Sequence, residues 1–217
     1  MLILEDQPKS SISEKYRVLR TNIQYSSIDK EIKRILVTSS EPGEGKSVTS
    51  GNLALAYAQD SKKVLLIDCD LRKPSVHKTF RVSNTLGISD VILNVDKLKD
   101  AIIERNENFH IITAGELPPN PSEILGSLAM RNLLDKLNEY YDVIVIDSPP
   151  VHAVTDAQIL AQKVDGVLLV VKANTTKKDS VIESKNLLDK VGANILGVVL
   201  NGAENTAGKY YYYYGEK

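Results

Sequence analysis

Apolar residues cluster in six short blocks, at 35–37, 64–67, 109–112, 143–146, 167–171 and 195–200. The blocks are rich in Val, Ile and Leu without regular polar alternation, the pattern of strands covered on both faces. Segments near 48–59, 87–104, 121–138, 155–163 and 177–191 fall between them and read as helices. Strand–helix alternation predicts an α/β fold with a mostly parallel central sheet, right-handed crossovers and helices on both faces. Ahead of this series, residues 1–10 read as extended up to a break at Pro8. A helix follows at about 12–27, capped by Ser11 or Ser13, with Ile12, Tyr16, Leu19 and Ile23 on one stripe. Glu14, Arg17 and Arg20 lie three apart beside that stripe. They form either a solvated charged edge or a subunit contact in which the carboxylate meets arginines of the next copy.

The block at 35–37 runs into Thr38-Ser39-Ser40-Glu41-Pro42-Gly43-Glu44-Gly45-Lys46-Ser47, with a helix starting at Val48. A glycine-rich turn between strand and helix, closed by Gly-Lys-Ser, is the layout of a phosphate-binding P-loop. Glycines let the backbone approach an anion, successive N–H groups cradle the phosphates, the lysine meets the β/γ oxygens and the serine hydroxyl ligates Mg²⁺. A plain turn does not explain a lysine at a helix start, where the dipole disfavours cations; a bound polyphosphate does. Ser40 stands where the strict pattern has its first glycine. The loop residues assigned to nucleotide are Pro42, Gly43, Glu44, Gly45, Lys46, Ser47 and Val48.

Two other apolar blocks end in carboxylates: 64–67 in Asp68-Cys69-Asp70-Leu71-Arg72-Lys73-Pro74, and 143–146 in Asp147-Ser148-Pro149-Pro150. Ligands of parallel α/β sheets bind at the carboxyl ends of strands. A strand-end Asp is the Walker B arrangement, holding Mg²⁺ directly or through water. Three acids in one cleft repel unless a cation offsets them, and Arg72 and Lys73 supply local positive charge. Asp68 and Asp70 alternate on an extended chain, so one can face the metal while the other faces an acceptor. Asn201 follows the last block, where guanine-specific P-loop proteins carry Asn-Lys-x-Asp; here Gly202 and Glu204 replace the Lys and the Asp. Asn201 is read as an adenine contact and the nucleotide as ATP, with a simple Asn-Gly turn as the alternative.

Composition narrows the classes. The 217 residues are 42% hydrophobic and 25% charged, ordinary for a globular chain of one large domain or two small ones. A net charge of −1 gives no steering toward nucleic acid. No apolar run approaches the ~18 residues that span a bilayer, and the first residues lack the pattern of a secretory signal. One cysteine, Cys69, excludes an internal disulfide framework and fits a reducing cytoplasm. Five of the ten tyrosines are consecutive, Tyr210, Tyr211, Tyr212, Tyr213 and Tyr214. They sit in a low-complexity tail, 206–217, that is expected to be flexible after a domain at 1–205.

From about residue 8 to its end, the chain resembles the cytoplasmic kinase domain of the bacterial protein-tyrosine kinases (BY-kinases) of capsule and exopolysaccharide systems. The resemblance rests on Ser-x-x-Pro-Gly-x-Gly-Lys-Ser at 39–47, on Asp68-x-Asp70-x-Arg72-Lys-Pro and on Asp147-x-Pro-Pro. Leu117-Pro-Pro-Asn-Pro-Ser-Glu-Ile-Leu125, Glu14-x-x-Arg17-x-x-Arg20 and the tyrosine cluster add to it. It implies a P-loop NTPase-like kinase using ATP and Mg²⁺, with Lys46 on the phosphates and Ser47 on the metal. Asp68, Asp70 and Asp147 are implied to be essential to catalysis, with Arg72 among them. Asp147 is placed on the metal side, while Asp68 and Asp70 share the metal and base roles in an order left open. Also implied are a homo-oligomeric ring through Glu14, Arg17 and Arg20, and autophosphorylation of the tyrosine cluster in a neighbour. The expected partners are a membrane adaptor related to polysaccharide chain-length regulators, a cognate tyrosine phosphatase and protein tyrosine substrates, with no nucleic acid. The expected location is the cytoplasm, at the inner face of the membrane. Two rival readings remain: a ParA/MinD-type switch ATPase, which needs a lysine where this chain has Glu41, and a non-enzymatic nucleotide-gated scaffold of a polysaccharide export complex.

Overall fold

The computed structural model describes residues 2–26 and 31–203. The boundary expected at 205/206 and Tyr210–Tyr214 lie outside the described residues. Among the described residues seven strands form one sheet: β1 (Arg34–Ser39), β2 (Val64–Asp68), β3 (Ile103–Asn106), β4 (Phe109–Ile112), β5 (Val143–Asp147), β6 (Gly166–Lys172) and β7 (Ile195–Asn201), in the order β3-β4-β2-β5-β1-β6-β7. Every pairing is parallel except that of β3 with β4. The strands β1, β2 and β5 are side by side at the centre, with Val37 opposite Asp147 and Asp68 opposite Asp147. That register gathers the P-loop strand and both acidic strand ends on one edge of the sheet.

Two apolar cores cover the two faces. On one face α1 (Ile3–Asp6), α2 (Ser11–Gln24), α3 (Lys46–Ala58) and α4 (Val76–Phe80) supply residues such as Leu4, Ile23, Leu53, Tyr57 and Phe80. On the other, α5 (Ile88–Leu93), α6 (Leu98–Ala101), α7 (Pro121–Gly126), α8 (Leu128–Leu137), α9 (Asp156–Ala161) and α10 (Lys178–Lys190) supply Ile88, Ala101, Leu125, Leu134, Leu160 and Leu188. The central strands are buried along their length, as their unbroken apolar blocks require.

Several expectations are corrected. The start of the chain is not extended: α1 folds there, held by Ser13 Oγ donating to the carbonyls of Ile3 and Gln7 at 3.2 and 2.7 Å. The cap of α2 is Ser10, whose hydroxyl accepts from Ser13 N at 3.1 Å, and Ile12 faces outward. The helix expected at 87–104 is broken, because Asn94 turns extended and its side chain caps a short 3₁₀ turn at Val95–Lys97. Strand β3 follows; its Ile-Glu-Arg-Asn sequence has too little apolar content to be read as a strand, which suits a charged sheet edge. The segment 121–138 is two helices, parted at Ser127, which ends α7 and caps α8 through Met130 N at 3.1 Å. The last strand, β7, is an edge rather than a buried strand, with Val198 and Leu200 outward.

Candidate active site

The turn after β1 closes on Gly43 and Gly45, with φ of +82° and +93°, the left-handed region that glycine adopts without steric cost. Lys46 opens α3 and lies almost fully buried. Its Nζ stands 2.8 Å from Asp70 Oδ2, 3.9 Å from Asp147 Oδ2 and 3.4 Å from Ser47 Oγ. Burial opposes the Lys46 charge, but Asp147, Asp70 and Asp68 outweigh it and raise its pKa. Asp147 is fully buried; Ser47 Oγ donates to its Oδ2 at 2.5 Å and Ser50 Oγ to its Oδ1 at 3.0 Å. Burial raises the Asp147 pKa, with Lys46 and the two serine hydroxyls pulling it back.

The two carboxylates after β2 do different things. Asp68 accepts backbone N–H groups of Asp70 at 3.1 Å and of Ser75 and Val76 at 3.0 Å each, so both its oxygens are engaged. These bonds fold the 68–76 loop and seat α4. Burial, followed by the charge of Asp147, pushes the Asp68 pKa up to about 7. Asp70 instead lines a cavity of about 540 Å³ together with Pro42, Gly43, Gly45, Lys46, Ser47, Val48, Arg72 and Lys73, closed by Pro149 and Pro150. Its Oδ1 accepts from Lys73 N at 2.9 Å, leaving Oδ2 on Lys46. The cavity thus joins the P-loop to Asp70, while Asp68 and Asp147 lie behind it.

Three other residues differ from their expected posts. Arg72 lines the cavity but its guanidinium is committed to Asp156, at 2.9 and 3.2 Å, and to Ser122 Oγ at 3.0 Å. It fastens the Asp70 loop to α7 and α9. Glu44 turns away from the cavity: its carboxylate accepts Glu41 N at 2.9 Å and the Thr176 hydroxyl. Asn201 Nδ2 donates to the Glu44 carbonyl at 2.9 Å, so the end of β7 supports the P-loop from behind. Asp156 and Thr176 carry no local signal in the sequence beyond helix capping; only the fold brings them here. Glu14 and Arg17 pair with each other at 3.1 Å, and Arg20 holds Asp60 at 3.3 Å and the Ala56 carbonyl at 3.1 Å.

No three His, Cys, Asp or Glu side chains among the described residues make a metal-binding group. The donor set still fits Mg²⁺, which takes one or two protein oxygens and completes its shell with water and phosphate. Ser47 and Asp147 already meet beside Lys46 in that manner.

Fold and site together define a P-loop nucleotide-binding protein, and a family model described as AAA domain matches residues 32–195. The chain is 45% identical over 217 residues to the putative tyrosine-protein kinase CapB of Staphylococcus aureus, covering 99% of this chain and 95% of that protein. It is 42% identical to tyrosine-protein kinase YwqD of Bacillus subtilis, covering 100% and 92%. Among solved structures, the chimerical protein CapA2B2 superposes with a TM-score of 0.90 at 43% identity, covering 94% of this chain and 90% of that one. The chain belongs to the bacterial tyrosine-protein kinase family.

Proposed function

We propose that this chain transfers the γ-phosphoryl group of ATP to tyrosine, that its own tail residues Tyr210 to Tyr214 are acceptors in a neighbouring copy, and that it thereby regulates capsular or extracellular polysaccharide synthesis. The observation that carries the reading is the meeting of Lys46 and Asp70 at one cavity beside the P-loop, with Asp147 just behind Lys46. Pro42, Gly43, Gly45, Lys46, Ser47 and Val48 line that cavity and would bind the phosphates; Glu44 and Asn201 would shape the loop, with Asn201 also near the base. Ser47 and Asp147 would hold Mg²⁺, which offsets phosphate charge when bound.

Phosphoryl transfer has a loose transition state, so positioning and charge stabilisation dominate. Lys46 exchanges its Asp70 contact for phosphate oxygens. That exchange frees Asp70, at the cavity wall, to orient a tyrosine hydroxyl of pKa about 10 and take its proton late in the transfer. The tyrosine oxygen gains the phosphoryl group, ADP leaves, and the proton passes to the carboxylate. Asp68 supports this step by fixing the loop that carries Asp70. Arg72 acts through the same loop. A ring assembled through Glu14, Arg17 and Arg20 would bring a neighbour's tail to the site. A membrane adaptor of the chain-length-regulator type would recruit the chain to the inner membrane face, and a cognate phosphatase would reset it. No helix among the described residues is long and apolar enough to cross a membrane.

A mixing experiment tests the reading. A Lys46→Met chain is incubated with ATP, Mg²⁺ and an active chain whose five tail tyrosines are Phe. Phosphotyrosine on the tail of the Lys46→Met chain is the expected result. Its absence, with an otherwise active kinase copy, would overturn transfer in trans.

A further inference from the structure

Next to the cavity, where the loop after β5 meets the P-loop, lies a cluster that the nucleotide and tyrosine roles leave unused. His152 sits in the loop after β5, five residues beyond Asp147. Its Nδ1 is 3.0 Å from Glu41 Oε1, and its Nε2 is 3.0 Å from Ser184 Oγ on α10. Ser180, one turn earlier on α10, donates to the same Glu41 oxygen at 2.9 Å. Glu183 Oε2 stands 3.9 Å from His152 Nε2.

The order serine, histidine, carboxylate matches a hydrolytic relay, but Ser184 is fully buried, so no substrate carbonyl can reach its hydroxyl. The cluster therefore holds rather than reacts. One tautomer satisfies it: Nδ1–H donates to the Glu41 carboxylate and Nε2 accepts from the Ser184 hydroxyl. What it holds is the front of the P-loop. Glu41 is the residue before Pro42, its carbonyl accepts from Ser39 Oγ at 2.8 Å, and its N–H is taken by Glu44 at 2.9 Å. The backbone runs alongside, with Val151 N donating to the Ser39 carbonyl at 2.8 Å and His152 N to the Ser40 carbonyl at 3.4 Å. Among the described residues, only the His152 and Ser180 side chains bond the Glu41 side chain. Thr176, just before α10, bonds Glu44 and holds the same loop three residues further on.

We propose that His152 is a positioning residue for nucleotide: held by Ser184 on α10, it fixes Glu41 and so presets the P-loop for phosphate. A preformed loop needs less ordering when the phosphates arrive, so the contribution goes to binding rather than to the transfer step. Where the switch-ATPase reading needs a lysine, this chain has an acidic side chain tied down within its own subunit.

The inference rests on the proposed nucleotide role, and the experiment separates the two. Affinity for ATP·Mg²⁺ is measured by titration calorimetry on the full chain, with kcat for tail phosphorylation at saturating ATP. His152→Ala should weaken binding by roughly three- to tenfold, the scale of one partly exposed charge-assisted hydrogen bond, with kcat within about twofold. Asn at this position places an amide N–H near the Nδ1 site, so His152→Asn should recover most of the affinity. Gln reaches toward the Nε2 site, so His152→Gln should not recover it. The Asn and Gln pair keeps the test valid if His152→Ala fails to fold. A wild-type chain that binds no ATP removes the proposed function itself. Wild-type binding with unchanged affinity in His152→Ala, or equal affinities for the Asn and Gln variants, overturns the role of His152 alone.

Discussion

Gly45 shows how tightly a single position can be specified. Its φ is +93°, and an added Cβ would stand 2.1 Å from Asn201 Nδ2, the atom that donates to the Glu44 carbonyl. Gly45→Ala therefore adds about 1–2 kcal/mol of left-handed backbone strain and displaces Asn201. The expected result is a melting temperature lower by about 2–4 °C per kcal/mol for a chain of this size and weaker ATP binding. A variant that melts and binds like wild type would remove Asn201 from the support of the loop. The acids divide in the same way. Asp70→Asn keeps an oxygen for the Lys73 N–H and turns its NH₂ toward Lys46 at the cavity, where water can replace the lost contact. It should therefore lose less stability than Asp68→Asn and about 10²-fold in kcat, the scale of a positioned base. Asp68→Asn turns an NH₂ group toward backbone N–H donors of Asp70 or of Ser75 and Val76. It should cost stability first, by about 1–3 kcal/mol for a buried donor left unpaired. Equal melting temperatures for the two variants would contradict this division.

Between elements, one pairing gives stability a pH dependence. His110 on β4 is buried, with Nδ1 2.8 Å from the Tyr141 hydroxyl and the two rings edge to face at 5.5 Å. Burial lowers the His110 pKa, with Glu104 opposing and Lys63 adding to the shift. Above the unfolded value of about 6.5, both states are neutral and there is no effect. As pH falls below that value, the unfolded chain takes up the proton first, so stability declines until the folded pKa is passed. His110→Gln preserves a polar partner for Tyr141 and cannot titrate. Denaturant midpoints between pH 7 and pH 5 should fall less steeply in this variant, and parallel slopes would exclude His110 as the source.

For the molecule as a whole, assembly is the property most exposed to test. Arg17 and Arg20 are already occupied within the subunit, Arg17 by Glu14 and Arg20 by Asp60 and the Ala56 carbonyl. A ring contact through them would share or exchange these partners; the Glu14–Arg17 pair is solvent-exposed and of a kind that contributes only ~0–1 kcal/mol, while Arg20 is largely buried. Replacing Glu14, Arg17 and Arg20 with Ala together should shift the light-scattering mass toward monomer. Because Arg20 also ties α2 to α3, a small loss of melting temperature should accompany it. An unchanged mass would place the interface elsewhere.

Sequence by itself determined the parallel α/β sheet, the P-loop and the acidic strand ends. These are carried by contiguous residues: unbroken apolar blocks make buried strands, and Gly-Lys-Ser after a strand needs no distant partner to be legible. It did not determine the breaks at Asn94 and Ser127, because one side chain capping a turn competes there against an otherwise helical pattern. Nor did it show β7 as an exposed edge, since an apolar block reads alike at the centre and the margin of a sheet. What only the tertiary structure decided is which acid faces the cavity. Asp68 and Asp70 differ by two positions in sequence, but backbone N–H groups of residues 70, 75 and 76 claim the first and leave the second beside Lys46. Likewise Arg72 found Asp156 and Glu41 found His152, partners 84 and 111 residues away. Long-range pairs of this kind depend on which loops the strand order brings together, and no local pattern encodes them.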